Sequence, residues 1–189
     1  MFIIIKADIR RYVATEDINT RTKFLLILPF AYSLWSVLSY RFGRWARYEC
    51  KIPVISLLLK ILSRIIHEFV MLLTHIQIPF GVTIGKGLYI GHIGTLVINS
   101  QTIIGENCNL SAGVVIGQGG RGANKGSPTI GDGVFIGVGA KIFGKIKIGN
   151  NVAIGANAVV TKDIPDNAVV VGIPAKILNY NGSKEFVRY

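Results

Sequence analysis

The sequence is poor in the features that define several protein classes. Only two of its 189 residues are cysteines, Cys50 and Cys108, in unrelated contexts. They offer neither a disulfide framework nor a metal-ligand spacing, so a reducing compartment is expected and no metal site is. Acid is scarce too: 10 Asp and Glu stand against 21 Lys and Arg, a net charge of +11. That excess suggests an anionic partner, whether nucleic acid, a phospholipid surface or a phosphate-bearing small molecule. The positive charge is dispersed, without a reading helix or a platform of stacking aromatics, which argues against nucleic acid. The apolar run Phe2 to Ile5 is followed at once by Lys6, Asp8, Arg10 and Arg11, so a signal-peptide core is absent and secretion is not expected. The uncharged stretch Phe24 to Tyr40 has 17 residues and contains Pro29; it reads as a buried or interfacial helix rather than a membrane span.

What is present divides near Gln77. Before it stands a single glycine, Gly43; the other 21 of the 22 follow. In the first part Ile5 to Ala14 reads as a short helix, and Phe24 to Tyr48 as one or two apolar helices ending in the basic cluster Arg41, Arg44 and Arg47. Pro53 then breaks the chain before the next helix. There Ile55, Leu58, Leu59, Leu62, Ile65, Ile66, Phe69, Val70 and Leu73 recur at steps of three and four, the amphipathic period of a helix that can cover an apolar surface.

After Gln77 a six-residue period takes over. Aliphatic residues stand at Ile84, Ile90, Ile98, Ile104, Leu110, Ile116, Ile130, Ile136, Ile142, Ile148, Ile154 and Val160. Glycine follows in eight of the twelve units, where it is expected to supply the positive φ of a tight corner. Four residues after the aliphatic position come small or β-branched side chains, among them Thr102, Cys108, Val114, Ala140 and Ala158, suited to a second inward position. Two inward residues in six describe a short strand and a turn, and three such strands close one triangular coil. The expectation is mainly β: a left-handed parallel β-helix of about four coils preceded by an α-helical N-terminal region. Residues 1–76 form the helical region, 77–178 the β-helix and 179–189 a tail.

The repeat breaks twice, between Ile90 and Ile98 and between Ile116 and Ile130. Insertions in a solenoid are where function is added to a rigid frame. The first contains Gly91-His92-Ile93-Gly94-Thr95, with the sole histidine of the repeat region, a side chain suited to general-base work near neutrality. His67 and His75 lie in or after the helical segment, where a satisfied or solvated histidine is the commoner outcome. The second insertion, loop 117–128, is flexible and basic and could close over a substrate as a lid. It is not a nucleotide-binding P-loop, since no Gly-Lys-Ser/Thr step opens a helix.

Several segments resemble the serine acetyltransferase branch of the hexapeptide-repeat acyltransferases. They are Lys6-Ala7-Asp8-Ile9-Arg10 with Glu16-Asp17, Ser39-Tyr40-Arg41-Phe42-Gly43-Arg44-Trp45, Ile84 to His92, Gly137 to Gly144 and Val171 to Lys176. The resemblance implies an acetyl-CoA-dependent O-acyltransferase with His92 as general base, acetyl-CoA as co-substrate and a homotrimer whose active sites lie between subunits. It implies coenzyme contacts at Gly117, Gly139, Ala140 and Ala158, phosphate-facing cations at Lys141, Lys162 and Lys176, and acceptor contacts at Asp17 and Asn124. The pattern also departs from that family: Gly91 stands where an aspartate precedes the histidine, Gln77 replaces a second aspartate, and Gly126-Ser127 replace a basic-histidine pair. The Gly91-His92-Ile93-Gly94 turn, the following Val97-Ile98-Asn99 and the loop containing Asn124 instead resemble the serine acetyltransferase-like enzymes of capsule and exopolysaccharide clusters, including the colanic acid type. The reading preferred on that ground is acetylation of a sugar hydroxyl, on a small or lipid-linked precursor in the cytoplasm, compatible with peripheral contact at the inner face of the plasma membrane. The alternatives are serine O-acetylation and a non-catalytic, membrane-associated scaffold. The acyl transfer is expected to be direct, since no Gly-x-Ser-x-Gly elbow or activated cysteine is present.

Overall fold

The computed structural model describes every residue except Asn19, Ala123, Asn124, Arg188 and Tyr189. Four α-helices precede a triangular prism of parallel strands: α1 (Phe2–Thr15), α2 (Arg21–Ile27), α3 (Tyr32–Tyr48) and α4 (Pro53–Thr74). One face of the prism stacks Ile76–Gln77, Leu96–Ile98, Val115–Gly117, Lys141–Phe143 and Val159–Val160. A second stacks Thr83–Ile84, Ile103–Ile104, Thr129–Ile130 and Lys147–Ile148. The third stacks Tyr89–Ile90, Asn109–Leu110, Phe135–Ile136, Ala153–Ile154 and Val169–Val171, and is closed by the antiparallel strand Lys176–Asn179.

Both inward positions of the six-residue unit are filled as the period requires. The repeat isoleucines from Ile90 to Ile154 are almost wholly buried, and so are Thr102, Cys108, Val114, Ala140 and Ala158. The repeat runs further than twelve units. Ile78 begins it, and after a shortened step at Ile164, bridged to Ile148, it ends with Val170. Four complete coils and a partial fifth result. Cys108 is one of the interior residues, and burial pushes its thiol up to about 12.

The repeat glycines have a different role from the one expected. None of the eight that follow an aliphatic position has positive φ. Left-handed backbone occurs two residues further on, at Gly87, Asn107, Gly133 and Asn151 along one corner. Gly85, Gly105, Gly131 and Gly149 instead lie over one another, each without room for a side chain: a Cβ on Gly105 would stand 2.6 Å from the Gly131 carbonyl, and one on Gly131 2.8 Å from that of Gly149. Coil spacing of about 4.8 Å therefore demands glycine here for lack of a Cβ. Gly105→Ala should destabilise the fold by roughly 1–3 kcal/mol, the cost of overpacking a rigid wall. Denaturant unfolding checks this, and an unchanged midpoint would refute the steric account.

The helical region is fastened to the first coil by buried polar groups. Asp8 is fully buried and its carboxylate accepts from Arg41 Nε at 2.8 Å and from the Gly87 and Leu88 amides at 2.8 and 3.0 Å. Arg41 also donates to the carbonyls of Ile84 (2.7 Å) and Gly85 (2.6 Å). Burial pushes the Asp8 carboxyl above its ordinary value, while the guanidinium and the two amides pull the other way. Arg44 donates to Phe80 O and Val82 O, and Arg47 stacks over the Phe80 ring. The basic cluster Arg41, Arg44 and Arg47 is thus spent on binding helix to coil. Gly43 is required for the same packing, because the Phe80 ring occupies the place a Cβ would take.

α4 packs on α3 with its polar side. Ser39 Oγ lies 3.1 Å from His67 Nδ1, Ser36 Oγ donates to Thr74 Oγ1 at 3.1 Å, and Arg47 Nη1 donates to Ser63 Oγ at 3.0 Å. Most of the apolar stripe from Ile55 to Leu73 faces outward instead of covering the prism; Val70 is buried and Leu59 half-buried. His67 is buried in this seam, and desolvation lowers its pKa below the ordinary histidine value, against a smaller opposing effect of Glu68. The folded state therefore favours neutral imidazole. Stability is complete above the unfolded-state pKa of about 6.5 and falls as the pH drops below it, by up to about 1.4 kcal/mol per pH unit. A series of melting curves between pH 8 and 5 should show this slope, and His67→Asn should flatten it; equal slopes would exclude His67 as its source.

Candidate active site

His92 occupies the turn between the strand Tyr89–Ile90 and the strand Leu96–Ile98, at one corner of the prism. The turn is held at both ends. The Gly91 amide donates to Leu110 O of the next coil at 3.0 Å, and the Gly94 amide donates to Thr74 O at the end of α4 at 3.1 Å. The imidazole itself is exposed, and among the described residues no group hydrogen-bonds to it. Just before the turn, Tyr89 donates to Glu16 Oε1 at 2.5 Å and its ring lies 6.2 Å from that of Tyr12. Burial is the main cause that raises the Tyr89 phenol far above its usual value, reinforced by Glu16. The C-terminal end of α1 is thereby tied to the histidine turn. Asp17 follows at this end, exposed and in left-handed conformation.

The same corner runs down the prism. A Cβ on Gly94 would meet that of Ala112 at 3.3 Å, the Gly139 amide donates to Ala112 O, and the Asn157 amide donates to Val138 O. His92, Gly139, Ala140, Lys141 and Ala158, distant in sequence, thus share one edge. Two coils separate His92 from Gly139, about 10 Å at the spacing of stacked strands.

Several expected roles change on this geometry. Ala140 and Ala158 point their side chains into the core, their amides donate to Gly137 O and Gly155 O, and the Gly139 amide is engaged as well, so only backbone at these positions faces outward along the edge. Lys141 is not directed to a phosphate: its Nζ donates to Gly113 O at 2.9 Å and Gly139 O at 2.7 Å, bracing the corner. Lys162 and Lys176 are exposed and line one cleft of roughly 150 Å³ with Thr161, Pro174 and Ala175. Two cations converging in a small cleft suit the phosphates of a coenzyme. Gly117 ends the strand Val115–Gly117, and its carbonyl accepts from the Gly144 amide. The loop that follows is pinned at its base by paired hydrogen bonds between Gly119 and Gly126 and by Ser127 Oγ donating to Asn99 Oδ1 at 2.8 Å. Asn124 lies outside the described residues.

The positions that depart from the resemblance are placed as follows. Gln77 is exposed on the first strand and lines a cleft with Arg64, His67 and Glu68. A Cβ on Gly91 would have its nearest neighbour at 3.7 Å, an ordinary contact, so the backbone there admits a side chain. The clamp formed by Asp8 and Arg41 was visible in the sequence only as part of a resembling segment. Its function of shaping the turn that leads to Tyr89 and His92 depends on contacts across more than thirty residues.

A prism of parallel hexapeptide coils behind an N-terminal helical region defines a β-helix of the hexapeptide-repeat transferase class. Models of the bacterial transferase hexapeptide (six repeats) and the hexapeptide repeat of succinyl-transferase match residues 127–162 and 98–118. The serine acetyltransferase of Synechococcus elongatus is 35% identical over 182 residues, covering 96% of this chain and 70% of that protein. That of Bacillus pumilus is 34% identical over 183 residues, covering 97% and 80%. Among solved structures, a serine acetyltransferase from Brucella abortus in complex with coenzyme A is 25% identical with a TM-score of 0.78, over 96% of this chain and 68% of that one. One from Neisseria gonorrhoeae in complex with serine is 27% identical with a TM-score of 0.73, over 94% and 69%.

The chain belongs to the serine acetyltransferase family. It is an acetyl-CoA-dependent O-acyltransferase, with acetyl-CoA as co-substrate. The expectation of a sugar acceptor in capsule or exopolysaccharide synthesis is overturned by these relatives, all of them serine acetyltransferases. That expectation rested on Gly91, Gln77 and Ser127, which depart from the family pattern, and on the likeness of the His92 turn to capsule-type enzymes. Those few positions weigh less than similarity along nearly the whole chain.

Proposed function

We propose that this chain transfers acetyl from acetyl-CoA to the hydroxyl of L-serine, with His92 as general base. The observation that carries the reading is similarity to serine acetyltransferases along nearly the whole chain, helices included. His92 removes the hydroxyl proton as the serine oxygen attacks the thioester carbonyl. The tetrahedral intermediate collapses by breaking its C–S bond, and the departing thiolate takes the proton back from His92, so no acetyl-enzyme forms. Lys162 and Lys176 hold the coenzyme phosphates, and backbone near Gly117 lies along the route to the thioester. Asp17, on the turn tied to Tyr89, faces the amino group of the acceptor, and loop 117–128 restricts water. An exposed His92 without a hydrogen-bond partner among the described residues favours a homotrimer in which the neighbouring subunit completes the site. Acetyl-CoA supply favours the cytoplasm as the compartment.

The test is thioester cleavage by the purified chain with and without L-serine, with a free hexose as control. Cleavage should rise at least about tenfold with L-serine, well above the hexose level, given the discrimination available to a pocket that pairs a polar acceptor. Equal rates with and without L-serine would overturn the assignment.

A further inference from the structure

α4 is amphipathic in the reverse sense to an ordinary surface helix. Its buried residues include Ser56, Ser63, His67 and Thr74, packed on α3. Its outward residues Leu58, Ile61, Leu62, Ile65, Phe69 and Leu72 are each between 48 and 71% exposed. A helix on a water-facing surface shows the opposite pattern. At 100° per residue this outward face, with Ile61 and Leu73 at its margins, fills an arc of roughly 120° along about 24 Å of helix.

We propose that this face docks on an anionic bilayer surface, with α4 lying in the headgroup plane. Charge supports a lipid occupant. The chain carries +11, Lys60 and Arg64 stand on one margin of the apolar arc, and exposed Lys51 lies just before the helix. The single acid of α4, Glu68, is paired with Arg64 at 2.7 Å. An apolar face bordered by cations is the pattern of an interfacial helix, and anionic headgroups are its electrostatic complement.

The width of the arc argues against a second copy of the chain. Leu58, Leu62, Ile65, Phe69 and Leu72 do follow the three-and-four spacing of a helix-pair seam. The flanking positions Ile61, Ile66 and Leu73 are apolar as well, where a helix pair carries charge; pairing would leave them partly in water, whereas a bilayer covers the whole arc. Among the described residues no single helix is long and apolar enough to cross a membrane; the pair Thr22–Phe30 and Tyr32–Tyr48 together has the length and apolar composition, but is bent by 82°. Much of α3 is buried against the coil and α4, which leaves α4 as the docking element. Docking needs no unfolding, because the polar face stays on α3. It also sets the orientation of the active site, since the turn carrying His92 is bonded to Thr74 and the next strand to His75. The proposal does not depend on which hydroxyl accepts the acetyl group.

Flotation of the full chain with vesicles tests it. Mixed phosphatidylglycerol–phosphatidylcholine vesicles should carry the protein at least about tenfold better than phosphatidylcholine alone, and added salt should weaken capture. The double change Ile65→Asp and Phe69→Asp, at outward positions, should abolish flotation with an unchanged melting temperature. Lys60→Gln with Arg64→Gln should reduce it several-fold. Wild-type protein that stays at the bottom of the gradient, or an aspartate variant that floats as well as wild type, overturns the proposal. So does a wild-type chain that fails to float while its subunit number falls on introducing the aspartates, which would assign the face to a second copy.

Discussion

His92→Ala should lower the rate of acetyl transfer by about 10²- to 10⁴-fold, the range contributed by a positioned general base, and should leave the melting temperature unchanged. The two expectations separate because of where the residue lies. The imidazole is exposed and makes no hydrogen bond among the described residues, while its turn is held by the amides of Gly91 and Gly94, which the substitution leaves in place. Removing the side chain therefore deletes the proton acceptor without disturbing the prism. The informative measurement is the initial rate of thioester cleavage with acceptor present, next to a thermal melt of the same preparation. Coenzyme binding should survive, since Lys162 and Lys176 stand on other coils. An unchanged rate would remove His92 from the chemistry.

The largest effect on stability is expected at the clamp that holds the same coil just ahead of this turn. Asp8→Ala should cost about 3–5 kcal/mol, because it leaves the Arg41 guanidinium buried beside an empty space and strips two amides of their acceptor. Arg41 is 5% exposed, and it has no route to water without abandoning the carbonyls of Ile84 and Gly85. Arg41→Ala should cost a similar amount by stranding Asp8. The double variant should cost clearly less than the two single effects combined, since each single change includes the penalty of the other charge left unpaired. Denaturant midpoints of the four proteins give the coupling directly. Strict additivity would mean that the two residues contribute separately and that the clamp does not act as a unit. Because domains of this kind are stable by only about 5–15 kcal/mol, either single variant should also loosen α1 and, through Glu16 and Tyr89, the turn carrying His92.

The steric corner explains why the glycine pattern was legible while its cause was not. The residue after each repeat aliphatic is glycine in most units, which suffices to detect the repeat. Whether glycine serves a positive φ or an absent Cβ depends on what lies one coil away. At Gly105 that neighbour is the Gly131 backbone, 26 residues distant. A similar limit applied to Lys141, whose sequence context suggested a phosphate and whose ammonium proved to be bound to two carbonyls of the corner. The sugar acceptor was inferred from a few positions around His92 and the long loop, whereas the relatives weigh nearly the whole chain.

Sequence alone determined the prism, since a six-residue hydrophobic period admits few ways to bury two side chains per unit. It also singled out His92, because an insertion in so regular a repeat must leave the wall. Tertiary structure decided what the helices do. The period of α4 marks an apolar stripe but carries no sign for inward or outward; only the polar seam with α3, built from Ser36, Ser39, His67 and Thr74, turned that stripe to the outside. It decided equally that Arg41, Arg44 and Arg47 clamp the first coil, because a cation adjacent in sequence to other cations can be solvated or buried, and the choice depends on carbonyls some forty residues away.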